Sequence, residues 1–411
     1  MAGERKKPHF SRRDVLRGAL AGAVSSLHYR SVSAQTEPWR IPGHVAQSYG
    51  SRSKFESAVR YVVGARYPVP WASYSPIETF CGAITPSSLH FERHHNGVPD
   101  IAPDSYRLLV GGLVDRPRIF TLDDLKRFPS VSRMHFIECA GNSTECIGDL
   151  KPDATAGQLH GLSCSSEWTG VLLSTLMREV GVRTTATWMI AEGADAALLD
   201  RSIPIEKCWD DILVAYGQNG EAVRPEQGYP IRLVVSGWEG NINIKWLRRL
   251  EFLDRPAMTR EETVKYVDPM PDGTVRQFSF VMEAKSLITF PSGMQRLPDR
   301  GFYEIQGIAW SGRGRISRVE VSTDAGRTWQ LAELQGPVLP KTHTRFRSPW
   351  VWNGQETVIQ SRATDETGYR QPPRAVLLKV RRQEVTGMSQ HFNGIQSWHI
   401  GADGQVRNTY A

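Results

Sequence analysis

A cysteine at the end of a short, partly apolar run is the first residue that could carry unusual chemistry. Cys139 follows the run 134–138 and is itself followed by Ala-Gly-Asn. A strand ending there would deliver the thiol to a turn, and Gly141 would let the backbone approach a ligand closely. A thiolate in that position suits a soft metal. A buried structural cysteine explains the same pattern equally well, so Cys139 alone does not decide the chemistry.

Basic and phenolic side chains could build the rest of a site. Arg93 lies in the polar run 91–95, Phe-Glu-Arg-His-His, and arginine is the side chain that best clamps an oxyanion. Arg232 and Lys245 lie in otherwise apolar stretches, where a cation must find an anionic partner or reach the surface. A phosphate-bearing cofactor is one such partner, and an edge strand is the alternative. Tyr266 could act beside such a site or simply pack.

The cysteines set limits on the kinds of metal site. They are Cys81, Cys139, Cys146, Cys164 and Cys208. None forms C-x-x-C or C-x-x-C-H, so the sequence predicts no zinc knuckle, no thioredoxin-type pair and no attached c-type haem. Because their number is odd, at least one thiol must stay free, bound or reactive in an oxidising compartment.

Strand-like and helix-like patterns alternate between residues 85 and 255 and would position these side chains. Strands are predicted at 106–111, 134–138, 231–235 and 244–253, a capped helix from Thr121, and a further helix over 170–180. Residues 35–80 are rich in aromatics and proline without a clear period, which predicts a wrapping segment with little regular structure. The mixture indicates an α+β domain.

The pattern changes to short strands separated by turns after about residue 270. Alternation at 303–308 and 316–322, a tight turn at 324–326 and a further strand at 357–363 predict a β-sandwich of roughly 100 residues. We therefore expect a wrapping segment at 35–84, a catalytic domain at 85–268, and a sandwich domain with a C-terminal tail at 269–411.

The N-terminal residues have the pattern of an export signal. Residues 11–16, Ser-Arg-Arg-Asp-Val-Leu, match a twin-arginine signal, and the mild apolar stretch 18–27 is too short to span a bilayer. Small residues at 32–34 predict cleavage after Ala34, hence residues 1–34 as a signal peptide. The mature chain is expected to be periplasmic and exported folded, without a membrane anchor. A basic N-terminus with a chance arginine pair is the alternative.

The charge balance gives no support to a nucleic-acid partner. The chain has 50 basic and 43 acidic residues, a net charge of +7. Residues 1–34 contain seven basic and two acidic residues, so they carry five of these charges and the remainder carries only two. Nucleic-acid binding would require a basic surface on the folded domain itself. With 40% apolar and 23% charged residues, the composition excludes a disordered chain.

Several motifs, taken in order along the chain, resemble those of the sulfite oxidase family of molybdenum enzymes. They are F-x-R-x-H from Phe91, C-A-G-N from Cys139, W-x-G from Trp168, E-G-x-D from Glu192, S-I-P from Ser202, A-Y-x-x-N-G from Ala215, G-[FY]-P-[VI]-R from Gly228 and K-W-L from Lys245. The resemblance covers most of the chain, from about Phe91 to Trp398, and so many ordered matches argue against chance.

The resemblance implies an α+β cofactor domain followed by an immunoglobulin-like dimerisation domain, and hence a homodimer core. It also implies one molybdenum per chain, held by the dithiolene of molybdopterin with Cys139 as the only protein ligand, and no haem in this chain. Arg93 and Tyr266 would line the substrate pocket and act in catalysis with Cys139. The residues that would bind the cofactor are Phe91, Arg93, His95, Cys139, Asp195, Gln227, Arg232, Asn243 and Lys245.

Departures from the family pattern bear on the substrate. Family sulfite oxidases often read C-A-G-N-x-R, whereas this chain has Thr144 in place of that arginine. Gln227 stands where the family often has histidine, and Ile242-Asn243 stands where it often has Arg-His. These differences argue against free sulfite as the main substrate.

The C-terminal runs 391–398 and 403–408 resemble the sulfane dehydrogenase branch of the family. That resemblance implies a role in thiosulfate oxidation, with sulfane sulfur presented as a persulfide on a cysteine of a sulfur-carrier protein. Oxygen would come from water and electrons would pass to a c-type cytochrome subunit. The homodimer core would then belong to a heterotetramer.

Three other functions are compatible with parts of the sequence. A periplasmic sulfite dehydrogenase using cytochrome c is the main alternative. A periplasmic sulfoxide reductase is a weaker one, because such chains are usually shorter and lack the sandwich. A cofactor-free binding module with a β-sandwich belongs to a different class, but a protein without a cofactor has little need of folded export.

Overall fold

The computed structural model describes residues 42–64, 71–381 and 391–411. The chain divides into two units at Ser57, and the described part of the first, residues 42–57, contains no helix or strand. The second unit, from Ala58 onward, contains the elements discussed below. The expected signal peptide and its cleavage site lie outside the described residues.

The first part of the second unit contains three small sheets and short helices; two of the sheets are antiparallel, and the third is mixed because β4 and β13 pair in parallel. Its elements are β1 (Tyr61–Gly64), β2 (Trp71–Tyr74), β3 (Glu92–His94), β4 (Leu108–Gly112), β5 (Arg118–Phe120), α1 (Leu122–Lys126), β6 (Ser130–Glu138), α2 (Ala156–His160), β7 (Ser163–Leu172), α3 (Leu173–Val180), β8 (Trp188–Gly193), β9 (Asp200–Pro204), α4 (Ile205–Asp210), β10 (Leu213–Gln218), β11 (Glu221–Ala222), β12 (Arg232–Val234) and β13 (Leu247–Leu253). The sheet orders are β1-β2-β3, β11-β10-β7-β6 with β12 paired to β10, and β5-β4-β13-β8-β9.

The second part is a β-sandwich. Its elements are β14 (Asp268–Pro269), β15 (Val275–Arg276), β16 (Lys285–Phe290), β17 (Gly301–Trp310), β18 (Ile316–Ser322), β19 (Gln330–Leu331), β20 (Glu333–Gln335), β21 (Thr344–Trp352), β22 (Thr357–Asp365), α5 (Arg374–Arg381), β23 (Ser397–Ile400) and β24 (Val406–Thr409). One sheet has the order β16-β17-β21-β20 and the other β19-β18-β22-β23-β24. Their inner faces share a core that includes Leu287, Ile305, Val319 and Trp398.

Several sequence predictions are confirmed by these elements. The chain is α+β with a C-terminal sandwich, and the strand predicted at 316–322 has those bounds in the structure. The helix predicted from Thr121 is α1, where the Thr121 hydroxyl accepts from the Asp124 N–H and the Asp124 carboxylate accepts from the Thr121 N–H. This reciprocal pair satisfies two backbone donors that a helix N-terminus otherwise leaves free.

Three element predictions are wrong in part. The helix predicted over 170–180 begins only at Leu173, because Gly170 and Val171 pair with both β6 and β10, and Leu172 with β10, as the end of β7. The strand predicted from 244 begins at Leu247, because Trp246 has a positive φ of 51° that breaks the extended run. The segment 35–80 is more regular than expected, since β1 and β2 form a hairpin that β3 extends. The predicted domain boundaries stay predictions.

The described helices are all short. None of them combines the length and the apolar character needed to cross a bilayer.

Candidate active site

One cavity collects the residues that the sequence singled out. Ten predicted site residues line it, namely Phe91, Arg93, His95, Cys139, Asp195, Gln227, Arg232, Asn243, Lys245 and Tyr266. They come from β3 and its flanking residues, from the turn after β6, from the loop between β8 and β9, from β12 and the loops on either side of it, and from the segment before β14. The structure therefore brings the whole predicted set together, while their individual roles stay predictions.

Cys139 lies at the point where β6 ends and the chain turns. Its N–H donates to the Leu162 carbonyl oxygen (2.9 Å), and its own carbonyl oxygen accepts from the Asn142 N–H (2.9 Å). Gly240 packs against this turn, where an added Cβ would lie 3.1 Å from the Cys139 Cα. Burial raises the pKa of the thiol, and the Arg93 guanidinium opposes that rise. A bound cation would favour the thiolate more strongly than Arg93 alone.

Arg232 is a buried cation on β12. Its two terminal nitrogens donate to the carbonyl oxygens of Gln227 (2.9 Å) and Asn243 (3.1 Å), and its guanidinium lies 4.8 Å from the ring centre of Trp168. Its Nε has no hydrogen-bond partner within the part of the chain that the structure describes. Burial lowers the pKa of this guanidinium to about 9. The protein thus holds the charge in place without neutralising it.

Lys245 supplies a second cation to the same cavity. Its ammonium donates to the carbonyl oxygens of Arg93 (3.1 Å) and Glu226 (3.1 Å) and to Nδ1 of His94 (2.8 Å). Burial, followed by the repulsion of Arg232, lowers its pKa to about 7. Among the described residues neither of the two cations forms an ion pair with a carboxylate. Both would gain from an anion bound in the cavity.

Tyr266 and His95 form the polar end of the cavity nearest Arg93. Tyr266 follows the π-helical turn Glu261–Lys265, and its Oη lies 3.3 Å from Nε2 of His95. Burial, assisted by Arg93, lowers the pKa of His95 to about 3, so the imidazole is neutral at pH 7. Burial raises the pKa of Tyr266. The phenol therefore keeps its proton and can donate a hydrogen bond to the neutral ring.

The remaining predicted residues shape the cavity through hydrogen bonds to the backbone. Gln227 donates to the Phe91 carbonyl oxygen (2.7 Å), and the Asn243 side-chain oxygen accepts from the Val235 N–H (2.7 Å). Asp195 accepts from the Leu199 N–H (3.3 Å), and burial raises its pKa. These contacts hold loops in place, so the three side chains contribute to the form of the site.

A buried polar cluster behind Tyr266 was missed by the sequence analysis. Arg201 donates to the side-chain oxygen of Asn241 (2.5 Å), and Asn241 donates to Glu239 (2.8 Å). The Arg201 guanidinium lies 5.0 Å from the ring centre of Tyr266, and Asn241 lines the cavity. Burial raises the pKa of Glu239 to about 8. The sequence signal that could have predicted this cluster is Arg201, a charged residue within the run 200–204.

Thr144, the main departure from the family pattern, is not among the residues that line the cavity. Its hydroxyl donates to the Gly141 carbonyl oxygen (3.1 Å) inside the turn that follows Cys139. A longer side chain at this position would have to reach past that turn to touch a substrate. The described contacts of the Thr144 side chain therefore belong to the turn and not to the cavity.

The residues present fit a molybdenum–pterin cofactor. A cysteine offers the soft ligand that such a metal takes, and the same cavity is faced by two cations that have no carboxylate partner among the described residues. The buried Nε of Arg232, which finds no partner in that part of the chain, provides a further donor for an anion. A phosphate-bearing group that also carries a soft metal would satisfy both features.

Comparisons with known proteins agree with this geometry. The chain matches the oxidoreductase molybdopterin binding domain over residues 95–261 and the Mo-co oxidoreductase dimerisation domain over residues 276–390. It is similar to the solved structure of the sulfane dehydrogenase SoxCD from Paracoccus pantotrophus. The identity is 43%, the TM-score is 0.87, and the match covers 92% of this chain and 98% of that one.

Curated relatives are more distant and longer. Mitochondrial sulfite oxidase from Rattus norvegicus is 31% identical over 66% of this chain and 52% of its own length. The NADH nitrate reductase from Ulva prolifera is 29% identical over 71% of this chain and 38% of its own length. The chain thus spans about half or less of the length of these relatives.

Proposed function

The chain belongs to the sulfite oxidase family of molybdenum oxidoreductases, and we propose that it oxidises sulfane sulfur carried on a cysteine of a carrier protein. The observation that carries this proposal is the 43% identity, over nearly the full length of both chains, to a sulfane dehydrogenase. Rat and fruit-fly sulfite oxidases are 31% and 32% identical over about half of their length. The oxygen comes from water, and the electrons go to a partner cytochrome.

The cofactor-binding residues divide into a metal ligand and anion-binding cations. The bound cofactor supplies the two-electron chemistry that joins an oxygen atom from water to sulfur. Cys139 provides its thiolate to the molybdenum, as soft metals prefer sulfur ligands. Arg232 and Lys245 bind the phosphate of the pterin, because charge-assisted hydrogen bonds to phosphate oxygens satisfy their unbalanced charge.

Arg93, Tyr266 and His95 act on the substrate side. Arg93 holds the terminal sulfur, or the oxyanion that forms from it, as negative charge develops. The Tyr266 hydroxyl lies 3.3 Å from Nε2 of His95, so the phenol is held next to the reacting atoms. Because burial keeps His95 neutral at pH 7, its ring acts as a hydrogen-bond partner that orients the phenol.

The number of cations argues for a substrate of low charge. Free sulfite is a small dianion, and a pocket that selects it profits from several fixed cations. With Arg232 and Lys245 assigned to the cofactor, Arg93 is the cation left for the substrate in the described cavity. A carrier-bound persulfide has at most one charge and is anchored by its protein surface. The lack of an arginine at position 144 removes one further cation that could bind sulfite or sulfate in competition.

Sequence features support a proposal for the electron path and the location. Oxidation of sulfur releases two electrons, and the sequence contains no C-x-x-C-H motif that could bind haem covalently. We therefore propose a c-type cytochrome subunit as the acceptor, in a heterotetramer built on a homodimer of this chain. The twin-arginine motif at 11–16 supports folded export to the periplasm.

The decisive experiment measures cytochrome reduction by the purified enzyme with two substrates in parallel. Carrier protein loaded with sulfane sulfur is compared with free sulfite, and carrier with its cysteine alkylated is the control. We expect the loaded carrier to be oxidised much faster, and metal analysis to give one molybdenum per chain. Efficient sulfite oxidation without any response to the loaded carrier would contradict the proposal.

That contrary result would identify a periplasmic sulfite dehydrogenase, the second candidate function. Its supporting observation is the similarity to the curated sulfite oxidases. The same assay therefore separates the two candidates in one series of measurements.

A further inference from the structure

The carboxylate next to Cys139 lies on the opposite side of β6 from the cavity. Side chains alternate along a strand, so Cys139 faces the cavity while Glu138 faces the sandwich. Glu138 is completely buried. Its Oε2 accepts from the indole N–H of Trp310 (2.6 Å), and its Oε1 accepts from the amide of Asn142 (2.8 Å). The residue before the candidate ligand is thus held by the sandwich domain.

Lys285 completes this arrangement from the first residue of β16. Lys285 is only 1% exposed. Its ammonium donates to Glu138 Oε1 (3.2 Å), to the Ser143 hydroxyl (2.6 Å) and to the Phe392 carbonyl oxygen (2.9 Å). An ammonium has three protons, and all three have acceptors here. One lysine therefore contacts the chain both before and after Cys139.

Ser143 lies where the turn needs such support. Its φ is +68°, in the left-handed region that a residue with a Cβ adopts only at a cost in free energy. Besides Lys285, its hydroxyl contacts Nδ1 of His160 (2.7 Å). The turn 139–143 is therefore fixed at its far end by a contact from the other domain.

We propose that Lys285 is a positioning residue for Cys139, so that the sandwich domain sets the placement of the metal-binding thiol. The inference rests on the proposed function, because it takes Cys139 as the molybdenum ligand. The dimerisation domain then has a second task, which is to hold the turn that carries the ligand. Loss of Lys285 removes one of the two contacts that hold the Ser143 hydroxyl, leaving that to His160, and leaves Glu138 without a counter-charge directly before Cys139.

The test uses the full chain, both cofactor-free and loaded, and follows Cys139 directly. Lys285→Met removes the ammonium at similar length, and Glu138→Gln/Lys285→Met removes both charges so that a folded protein is obtained. Lys207→Met is the matched control. Lys207 is also a buried lysine; it pairs with Asp211, which Lys341 of the sandwich contacts as well. No hydrogen bond in the described residues joins Lys207 to the turn 139–143.

The first readout is the rate at which iodoacetamide alkylates Cys139 in cofactor-free protein, measured by mass spectrometry of the peptide that contains it. Circular dichroism confirms that each variant is folded. We expect Lys285→Met and the double variant to react about tenfold faster than wild type, because thiol reactivity follows access and local mobility. The control Lys207→Met should react at the wild-type rate.

The second readout is the sulfur-to-metal charge-transfer absorption of the loaded enzyme. It should shift in both Lys285 variants and stay unchanged in Lys207→Met. Wild-type alkylation rates and an unshifted band in the folded double variant would overturn the inference. A wild-type chain that binds no molybdenum would instead overturn the proposed function, while the alkylation rates would still report on the turn.

Discussion

Two buried polar clusters flank Cys139, and they differ in the balance of their charges. On the cavity side, Arg232 and Lys245 have no carboxylate partner among the described residues. On the sandwich side, Lys285 and Glu138 pair with each other and use their remaining hydrogen-bonding capacity on neighbours. A buried charge without a counter-charge costs free energy, whereas a fully bonded pair largely offsets that cost. The first cluster is built for a ligand, and the second is complete within the polypeptide.

The largest expected effect is a loss of turnover without a loss of stability, at Cys139 between the two clusters. Cys139→Ser should fold with nearly wild-type stability and lose nearly all turnover, by about a thousandfold or more, because a hydroxyl replaces the soft ligand. Cys208→Ser is the control, since Cys208 is buried and does not line the cavity. Steady-state cytochrome reduction and molybdenum content are measured for both. Wild-type activity in Cys139→Ser would contradict the proposal that Cys139 is the molybdenum ligand.

The next effect tests the completeness of the sandwich-side cluster. Lys285→Met should lower the free energy of unfolding by about 3–5 kcal/mol, because it leaves a buried carboxylate unpaired. Glu138→Gln/Lys285→Met should recover most of that loss, since neither charge remains. Urea unfolding of the cofactor-free proteins measures both values. A single variant as stable as wild type would mean that the pair is not a balanced unit.

On the cavity side, the substrate residues should affect turnover and leave stability nearly unchanged. Arg93→Met and Tyr266→Phe should each reduce the catalytic rate by an amount worth about 1.5–3 kcal/mol, the range of one charge-assisted hydrogen bond. Arg93→Met should also weaken substrate binding, whereas Tyr266→Phe should act mainly on kcat. Steady-state kinetics separates these terms. If both variants behave as wild type, the substrate binds elsewhere.

Substitution of Lys245 should raise the stability of the cofactor-free protein, whereas substitution of Lys285 should lower it. Folding lowers its pKa from 10.5 to about 7, so between these values the unfolded chain holds the additional proton and stability rises with pH. Lys245→Met should therefore stabilise the cofactor-free protein at pH 7 by about 1–2 kcal/mol, after allowance for the lost hydrogen bonds. The gain should shrink as the pH approaches 10.

Thermal unfolding at several pH values measures this difference, and molybdenum content measures its functional cost. We expect Lys245→Met to retain less cofactor while being the more stable protein without it. A variant that is less stable than wild type at every pH would show that the cavity cations are as well balanced as those of the sandwich side.

The smallest expected effect concerns substrate preference. Thr144→Arg should move the ratio of sulfite to carrier oxidation toward sulfite by a few-fold, less than about 1 kcal/mol, because the added guanidinium must reach past the turn. The two rates are measured in parallel, with Thr144→Met as a control for side-chain length. A change of the same size in the methionine variant would remove charge as the cause.

Most of the cavity could be predicted from the sequence because its residues lie in short ordered motifs. Cys139, Arg232 and Lys245 were each identified by a reactive or charged residue in a position where an apolar one is ordinary. Lys285 shows the same signal, a lysine directly before Ser-Leu-Ile-Thr-Phe, but the sequence does not indicate its partner. Local patterns do not reveal such a contact, since Glu138 is 147 residues distant.

The errors in the fold have a similar origin. Gly170 to Leu172 fit a helical spacing, but their backbone groups pair with two neighbouring strands, and that competition is decided by tertiary structure. Trp246 looked like part of a strand because its neighbours are apolar. Trp246 instead has a left-handed backbone, next to Lys245 in the loop that lines the cavity. Tryptophan has no preference for that conformation, so the sequence does not predict it.

The distribution of the cavity residues along the chain has a consequence for biogenesis. They extend from His90 to Tyr266, and the contacts behind Cys139 reach as far as Phe392. While the ribosome is still adding residues to the chain, the segments that form the pocket are therefore not yet together, and Lys285 does not yet contact the turn of Cys139. The complete pocket, with the turn of Cys139 held by Lys285, therefore forms only after residue 392 has been synthesised, an order that suits insertion of a cofactor into a chain that has already folded.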